Sequence, residues 1–266
     1  MKKNPFNSIH KIPYINTLIN RIDRDIQLLG FIPAMQQLIK RTSVKVQIQA
    51  LDNKTRDLLQ NNGCIVIFNH PYEIETYVVV SALPHRNDLK IIATSNLLGI
   101  SKAFDRYLLP VYVDHNARKE KASKLSGRFV KLFNLRSYIR PEEAHGKNIQ
   151  TLKNASHFIQ KEGLVLMCPE GFRGKGGRWF SGIGHLITEV GSKNNVYYIS
   201  CYINHTSNLD WLRLIPYIGR ILPVITVTFS NPQPLRDIID TYRDPKNIVL
   251  GLEHEYNLWT SSLALK

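Results

Sequence analysis

The chain reads as an α/β protein: a mostly parallel central sheet covered by helices, preceded by an amphipathic helical appendage. Three observations predict this. Apolar runs of strand length, such as Cys64–Phe68 and Leu164–Met167, read as buried strands. They alternate with segments of helical period along the whole chain, the signature of a parallel sheet covered on both faces. A length of 266 residues with 43% hydrophobic content is enough to bury such a core.

Ile15, Leu18, Ile19, Ile22, Ile26 and Leu29 fall on one helical face. Gly30 stops that helix, and Pro33 opens a second one through Arg41. The pair either packs on the core or lies at a membrane interface. In the second case Phe31, Ile32, Met35, Leu38 and Ile39 enter the acyl boundary, with Lys40 and Arg41 at the headgroups. Residues 1–42 are assigned to this appendage and 43–266 to the main domain. Val44, Val46 and Ile48 alternate with Lys45, Gln47 and Gln49, a strand with one wet face. A short helix from Asp52 has Gly63 just past its end. After the Cys64–Phe68 strand comes a helix from Glu73 to Ala82, then strands over Leu89–Ser95 and Leu109–Asp114. Lys119–Leu135 reads as a basic helix, and Thr151 onwards as another, closed by Gly163. The strand at Leu164 follows, then a helix over Ser181–Asn195, a strand at Val196–Asn204, a late strand within Pro223–Leu235 and a helical C-terminus. There is no internal repeat, low-complexity tract or clear linker.

Lysine plus arginine is 35 and aspartate plus glutamate 21, a net charge of +14. Such an excess suits an anionic partner: nucleic acid, an anionic membrane surface or a phosphorylated substrate. Cys64, Cys168 and Cys201 each sit in an apolar run without metal-ligand spacing, as reduced core residues of a cytoplasmic protein do. The first residues lack the long apolar stretch of a signal peptide, and no window is apolar enough for a membrane span. A chain of this kind that meets a membrane lies on it.

Two strand ends carry chemistry. Phe68 is followed abruptly by Asn69, His70, Pro71, Tyr72 and the acids Glu73 and Glu75. In open α/β sheets, ligand sites gather at the carboxyl ends of strands. Glu75, near the first turn of the next helix, can fold back to the imidazole. A carboxylate that accepts one ring N–H fixes the tautomer and leaves the other nitrogen to take a proton from a hydroxyl. The strand at Leu164 likewise stops at Pro169-Glu170-Gly171, followed by Arg173, Lys175 and Arg178 among glycines. Those glycines allow close backbone approach, and the cations can meet a phosphate.

At this point the chain resembles the glycerol-3-phosphate and lysophosphatidic acid acyltransferases. Their first block, Asn-His, four residues, then Asp, is matched by "NHPYEIE", and their Phe-Pro-Glu-Gly-Thr-Arg block by "CPEGFR". The resemblance spans roughly Val44 to Asn204. It departs from the family in having Glu75 for aspartate and Phe172 for threonine, and in its second block, where "PVYVDHNAR" puts His115 after Asp114 and Arg118 three residues later. The resemblance implies an O-acyltransferase in which His70 is the general base and Glu75 orients it. Asn69, Glu170, Gly171, Arg173, Lys175, Arg118 and His115 would bind the substrate. It implies no metal and no bound cofactor. Acyl-CoA or acyl carrier protein serves as the co-substrate, a lysophospholipid or other hydroxyl-bearing amphiphile as the acceptor, and the inner face of an anionic membrane as the site of work. The basic segment from Arg118 to Arg140 would add a headgroup-binding surface. Two alternatives stand beside this reading. One is a non-catalytic lipid- or acyl-binding member of the same fold. The other is a nucleic-acid-binding protein using the Arg118–Arg140 segment, for which no recognised motif exists.

Overall fold

The computed structural model of this protein describes residues 13–72, 74–99, 101–112, 141–171, 178–193, 195–207, 209–214 and 218–264. The expected basic helix at Lys119–Leu135, the acid Glu73 and the candidate site residues His115, Arg118, Arg173 and Lys175 lie outside the described residues. In chain order the elements are α1 (Pro13–Leu29), α2 (Phe31–Arg41), β1 (Val46–Gln49), α3 (Asn53–Asn61), β2 (Gly63–Phe68), α4 (Glu75–Ala82), β3 (Leu89–Thr94), α5 (Lys102–Asp105), β4 (Leu108–Val111), α6 (Pro141–Gln160), β5 (Leu164–Met167), α7 (Gly182–Val190), β6 (Val196–Asn204), β7 (Ile225–Phe229), β8 (Gln233–Pro234), α8 (Leu235–Tyr242) and α9 (Pro245–Ala264).

The sheet runs β1-β7-β6-β2-β5-β3-β4, with β8 on the side of β6. From β4 to β6 every pairing is parallel; β7 joins β6 antiparallel, and β1 joins β7 parallel. The mostly parallel sheet is therefore as expected. β2 and β5 are buried at every residue, because helices cover both faces. Cys64, Val66 and Phe68 point into a core shared with α2 and α4, and Ile65 and Ile67 into one shared with α6, α7 and α9. This is the period-two division of a strand between two apolar layers.

Of the two placements open for α2, the structure shows core packing: Phe31, Ile32, Met35 and Leu38 are buried among side chains of α4 and the sheet. An amphipathic stripe looks the same whether protein or lipid covers it, and here protein does. Gly63 does not cap α3; it opens β2, where a Cβ would sit 2.5 Å from the carbonyl oxygen of Ile159. Close approach to α6, and not a left-handed turn, demands the glycine there. The left-handed residue closing α6 is Glu162, at φ 68, one position before Gly163.

Arg86 ties the entrances of three neighbouring strands together. Its Nη1 donates to the carbonyls of Leu59 (2.6 Å) and Asn62 (3.1 Å), just before β2. Its Nη2 donates to that of Glu162 (2.5 Å), just before β5, and Asp88 beside β3 completes the set through Nε at 2.9 Å. The guanidinium side chain is 2% exposed. A planar fork with five donors is the side chain that can serve so many acceptors at once. Replacing Arg86 by leucine strands these carbonyls in a poorly hydrated place. Arg86→Leu is expected to lower unfolding stability by about 3 kcal/mol, read from denaturant titration. An unchanged midpoint would mean that water serves these carbonyls equally well.

Candidate active site

Beyond Phe68 the backbone ladder of β2 ends, and a side chain continues it. Asn69 Nδ2 donates to the Ile203 carbonyl at 2.8 Å, and the Ile203 N–H donates to Asn69 Oδ1 at 2.7 Å. A side-chain amide carries the same donor and acceptor as a peptide group, so it can replace one rung of the sheet. That rung fixes the start of the turn on which His70 stands.

His70 Nδ1 lies 3.0 Å from Glu75 Oε2. With an ionised carboxylate, which only accepts, the hydrogen of this contact is the one on Nδ1. Glu75 is the first residue of α4, where the helix dipole favours a negative charge. It is fully buried, while the His70 side chain is 22% exposed, so the imidazole faces outward with its acid beneath it. The second carboxylate oxygen, Oε1, has no hydrogen-bond partner among the described residues. Despite the extra methylene relative to aspartate, the glutamate is within ordinary hydrogen-bond range of the ring.

The sheet brings the second motif level with the first. Ile67 pairs with Met167, and His70 and Glu170 each follow three residues later. Glu170 is buried and accepts a hydrogen bond from the Trp179 indole. Burial pushes its carboxyl up to about 7; the nearby Glu253 adds to the rise and Trp179 opposes it. Gly171 turns the chain at φ 59, and a Cβ there would come within 2.9 Å of the Phe180 ring. A side chain is excluded on both counts. Cys168 feels both acids. Burial first, then the charges of Glu170 and Glu75, push its thiol up to about 12, which keeps it protonated and unreactive.

Asn69 and Pro71, the two chain neighbours of His70, line a cavity of about 150 Å3 together with Glu170. Its opposite wall is the end of β6 and the loop after it, from Tyr202 to Thr206, with Tyr256, Asn257 and Thr260 of α9. Of the residues singled out from sequence, the fold thus brings together His70, Glu75, Asn69, Glu170 and Gly171. Trp179 and the α9 wall were not anticipated. Nothing in "EHEYNLWT" distinguishes a cavity wall from an ordinary amphipathic helix. Among the described residues no group of three or more histidine, cysteine or acidic side chains is arranged to hold a metal ion. No described helix is long and apolar enough to cross a membrane.

The raised Glu170 carboxyl gives stability a definite pH dependence. A glutamate in the unfolded chain releases its proton near 4.5, whereas folded Glu170 holds it to about 7. Between those values the folded state binds more protons, so this residue's contribution to stability falls as pH rises through the window. In unfolding titrations from pH 4 to 8, the wild type should lose stability relative to Glu170→Gln as pH increases. Parallel profiles would place this carboxyl in water.

No protein-family model matches the sequence, and no curated protein matches it significantly. Among solved structures, the chain is similar to the crystal structure of the 1-acyl-sn-glycerophosphate (LPA) acyltransferase PlsC from Thermotoga maritima. The TM-score is 0.52 at 14% sequence identity, over 98% of this chain and 92% of that one. With so little identity the likeness is one of architecture, and it spans both the N-terminal helices and the sheet. The chain therefore has the α/β fold of an LPA acyltransferase, the fold that its two strand-end motifs led one to expect.

Proposed function

We propose that this chain is an O-acyltransferase that moves a fatty acyl group from a coenzyme A or acyl-carrier-protein thioester to a hydroxyl of a lysolipid-type acceptor. One observation carries the reading: the 3.0 Å contact between His70 Nδ1 and the fully buried Glu75. The shared architecture with an acyltransferase supports it.

With Nδ1–H committed to Glu75, Nε2 is the nitrogen that takes the acceptor's hydroxyl proton as its oxygen attacks the thioester carbonyl. The tetrahedral intermediate collapses, the C–S bond breaks, and the proton on Nε2 passes to the departing thiolate. The product ester and a free thiol account for every atom. Glu75 favours this path electrostatically. Among the described residues its one hydrogen bond is to this ring, so a positive charge that develops there meets a buried carboxylate. Asn69 positions the turn. Glu170 and Gly171 shape the acceptor side, and Arg173, Lys175, Arg118 and His115 are proposed to meet polar groups of the substrates.

The surroundings proposed for this activity are the cytoplasmic face of an anionic membrane, with no metal and no resident cofactor. An acidic carrier protein or an anionic surface complements the +14 charge. Because α2 spends its apolar stripe on the core, contact with lipid falls to other side chains. Leu28 and Leu29, at the end of α1, are 69% and 45% exposed.

The test is acyl transfer by the purified protein with acyl-CoA, acyl-carrier-protein thioesters and a lysolipid extract, the product identified by mass. His70→Ala should lower turnover by about 100- to 10,000-fold while leaving the circular dichroism spectrum intact. Glu75→Gln, which removes the charge, should cost about 100-fold or more. Glu75→Asp keeps the charge but withdraws it by about 1.5 Å, one C–C bond, and should fall between. Equal rates for all four proteins would remove the pair from the chemistry.

A further inference from the structure

Two stretches of sequence without an acidic residue, 26–51 and 211–236, meet at one end of the sheet. Gly219 lies so close to the backbone of Thr42 and Ser43 that a Cβ would not fit against the Thr42 carbonyl oxygen. Arg220 Nε donates to Ser43 Oγ at 3.4 Å, and the Ile225 N–H to the Lys45 carbonyl at 2.9 Å. Residues 219–225 therefore run along residues 42–45. Between those anchors Ile221, Pro223 and Val224 face solvent, and Ile221 at 82% is the most exposed of the large apolar side chains described. Lys40, Lys45 and Arg220 are exposed on the same two segments, and Arg41 is paired with Asp25. One exposed apolar side chain alone is ordinary. An apolar tip beside several cations has the composition of a surface that enters lipid between anionic headgroups.

This is the edge of the sheet that carries the His–Glu pair. Thr226 of β7 stands opposite Asn204, the last residue of β6, and beside Gln47 of β1. β6 and β2 run parallel, and Asn69 is bonded to Ile203. Residues 219–224 and the turn from α2 into β1 thus lie at the level where β2 gives way to His70. Across the sheet β7 is two strands from β2, about 10 Å. The exposed pair Leu28 and Leu29 stands at the opposite edge, since Gly30, the next residue, faces Asn87 just before β3 begins. A bilayer met there would lie the length of a six-residue strand, about 20 Å, from the imidazole.

We infer that this edge is the surface with which the protein lies on an anionic bilayer, Ile221 and Val224 in the acyl boundary and Lys40, Lys45 and Arg220 at the lipid phosphates. The inference rests on the acyltransferase reading for the use of the contact, but not for the contact itself. Docked in this way, the protein turns the carboxyl ends of β2 and β5 towards the lipid. An acceptor then keeps its acyl chain in the bilayer while its headgroup hydroxyl approaches His70. An acidic protein would also be attracted by the cations. A stable complex of that kind needs roughly 800 Å2 of matched surface on each partner, whereas a lipid boundary takes in apolar side chains one at a time.

The experiment is flotation of the full chain with phosphatidylcholine vesicles and with mixed phosphatidylcholine–phosphatidylglycerol vesicles. The mixed vesicles should be bound about ten-fold more tightly or better. Ile221→Ser combined with Val224→Ser, both at exposed positions, should weaken that binding about ten-fold with an unchanged circular dichroism spectrum. Lys40→Gln combined with Lys45→Gln should cost about as much on mixed vesicles and nothing on neutral ones. Leu28→Ser combined with Leu29→Ser should cost less than the Ile221 and Val224 pair. Failure to bind vesicles, binding that ignores the Ile221 and Val224 pair, or a larger loss from the Leu28 and Leu29 pair overturns the inference. So does a loss of affinity for acyl carrier protein with vesicle binding intact, which would make the edge a protein interface. In acyl transfer, the Ile221 and Val224 pair should lose rate on vesicle-embedded lysolipid and keep it on a short-chain, monomeric acceptor. Equal loss on both overturns the docking surface while leaving the acyltransferase reading intact. Docking as expected without turnover on any acceptor leaves the surface standing and sinks the enzyme.

Discussion

The whole arrangement hangs on β2 being paired on both edges and covered on both faces. A strand held in this way has no freedom of register: β5 fixes one side and β6 the other, and a slip of one residue would turn Ile65 and Ile67 into the layer that Val66 and Phe68 occupy. The polar residues must therefore begin at a definite place, directly after Phe68. Asn69 makes that termination rigid by supplying one more rung to β6 from its side chain. The parallel pairing with β5 carries the same constraint to the second motif, since Ile67 beside Met167 leaves His70 and Glu170 each three residues past the rung. Two short motifs far apart in sequence are thus aligned by hydrogen bonds between buried backbones rather than by contact with each other.

Two acids stand at this edge, and their surroundings give them different characters. Glu75 starts a helix, lies beneath an imidazole and, among the described residues, has that ring as partner for one oxygen and none for the other. Glu170 is buried beside another carboxylate, and an indole hydrogen bond only partly offsets the effect. The first is suited to hold a counter-charge that appears during a reaction. The second is suited to exchange between donor and acceptor near neutral pH. Divergent environments for paired acids are how a single edge can serve both chemistry and recognition.

Much of this was legible in the sequence because the signals are local. Unbroken apolar runs predicted β2, β5 and β6, and the abrupt polar residues after Phe68 and Met167 predicted where the sheet would present a site. The features that were not legible depend on distant partners. Arg86 sits in an unremarkable polar stretch, "PHRND", and its role exists only once the entrances of β2, β3 and β5 converge on it. Gly63 has the spacing of a helix cap, yet the carbonyl of Ile159 is what excludes a side chain there. α2 could not be assigned to lipid or core by periodicity, because the stripe is identical in both cases; only the presence of α4 opposite it decides. The cavity wall from α9 joins residues of the chain's last helix to a strand end nearly two hundred positions earlier, beyond the reach of any pattern read along the chain.

Charge and recognition act over different distances. The surplus of 35 basic over 21 acidic side chains is a property of the chain as a whole, while the described lining of the cavity beside His70 is made of Pro71, Ile203, amides, hydroxyls, the His205 ring and one buried acid. Long-range attraction needs only a net field, and it raises encounter rates with any anionic surface or carrier without choosing among small headgroups. Selection among headgroups needs short-range geometry, where an unmatched charge or an unmade hydrogen bond is costly. A net positive charge lets the proposed enzyme be drawn to a negatively charged membrane or thioester carrier, whereas selection among headgroups falls to the side chains that touch them.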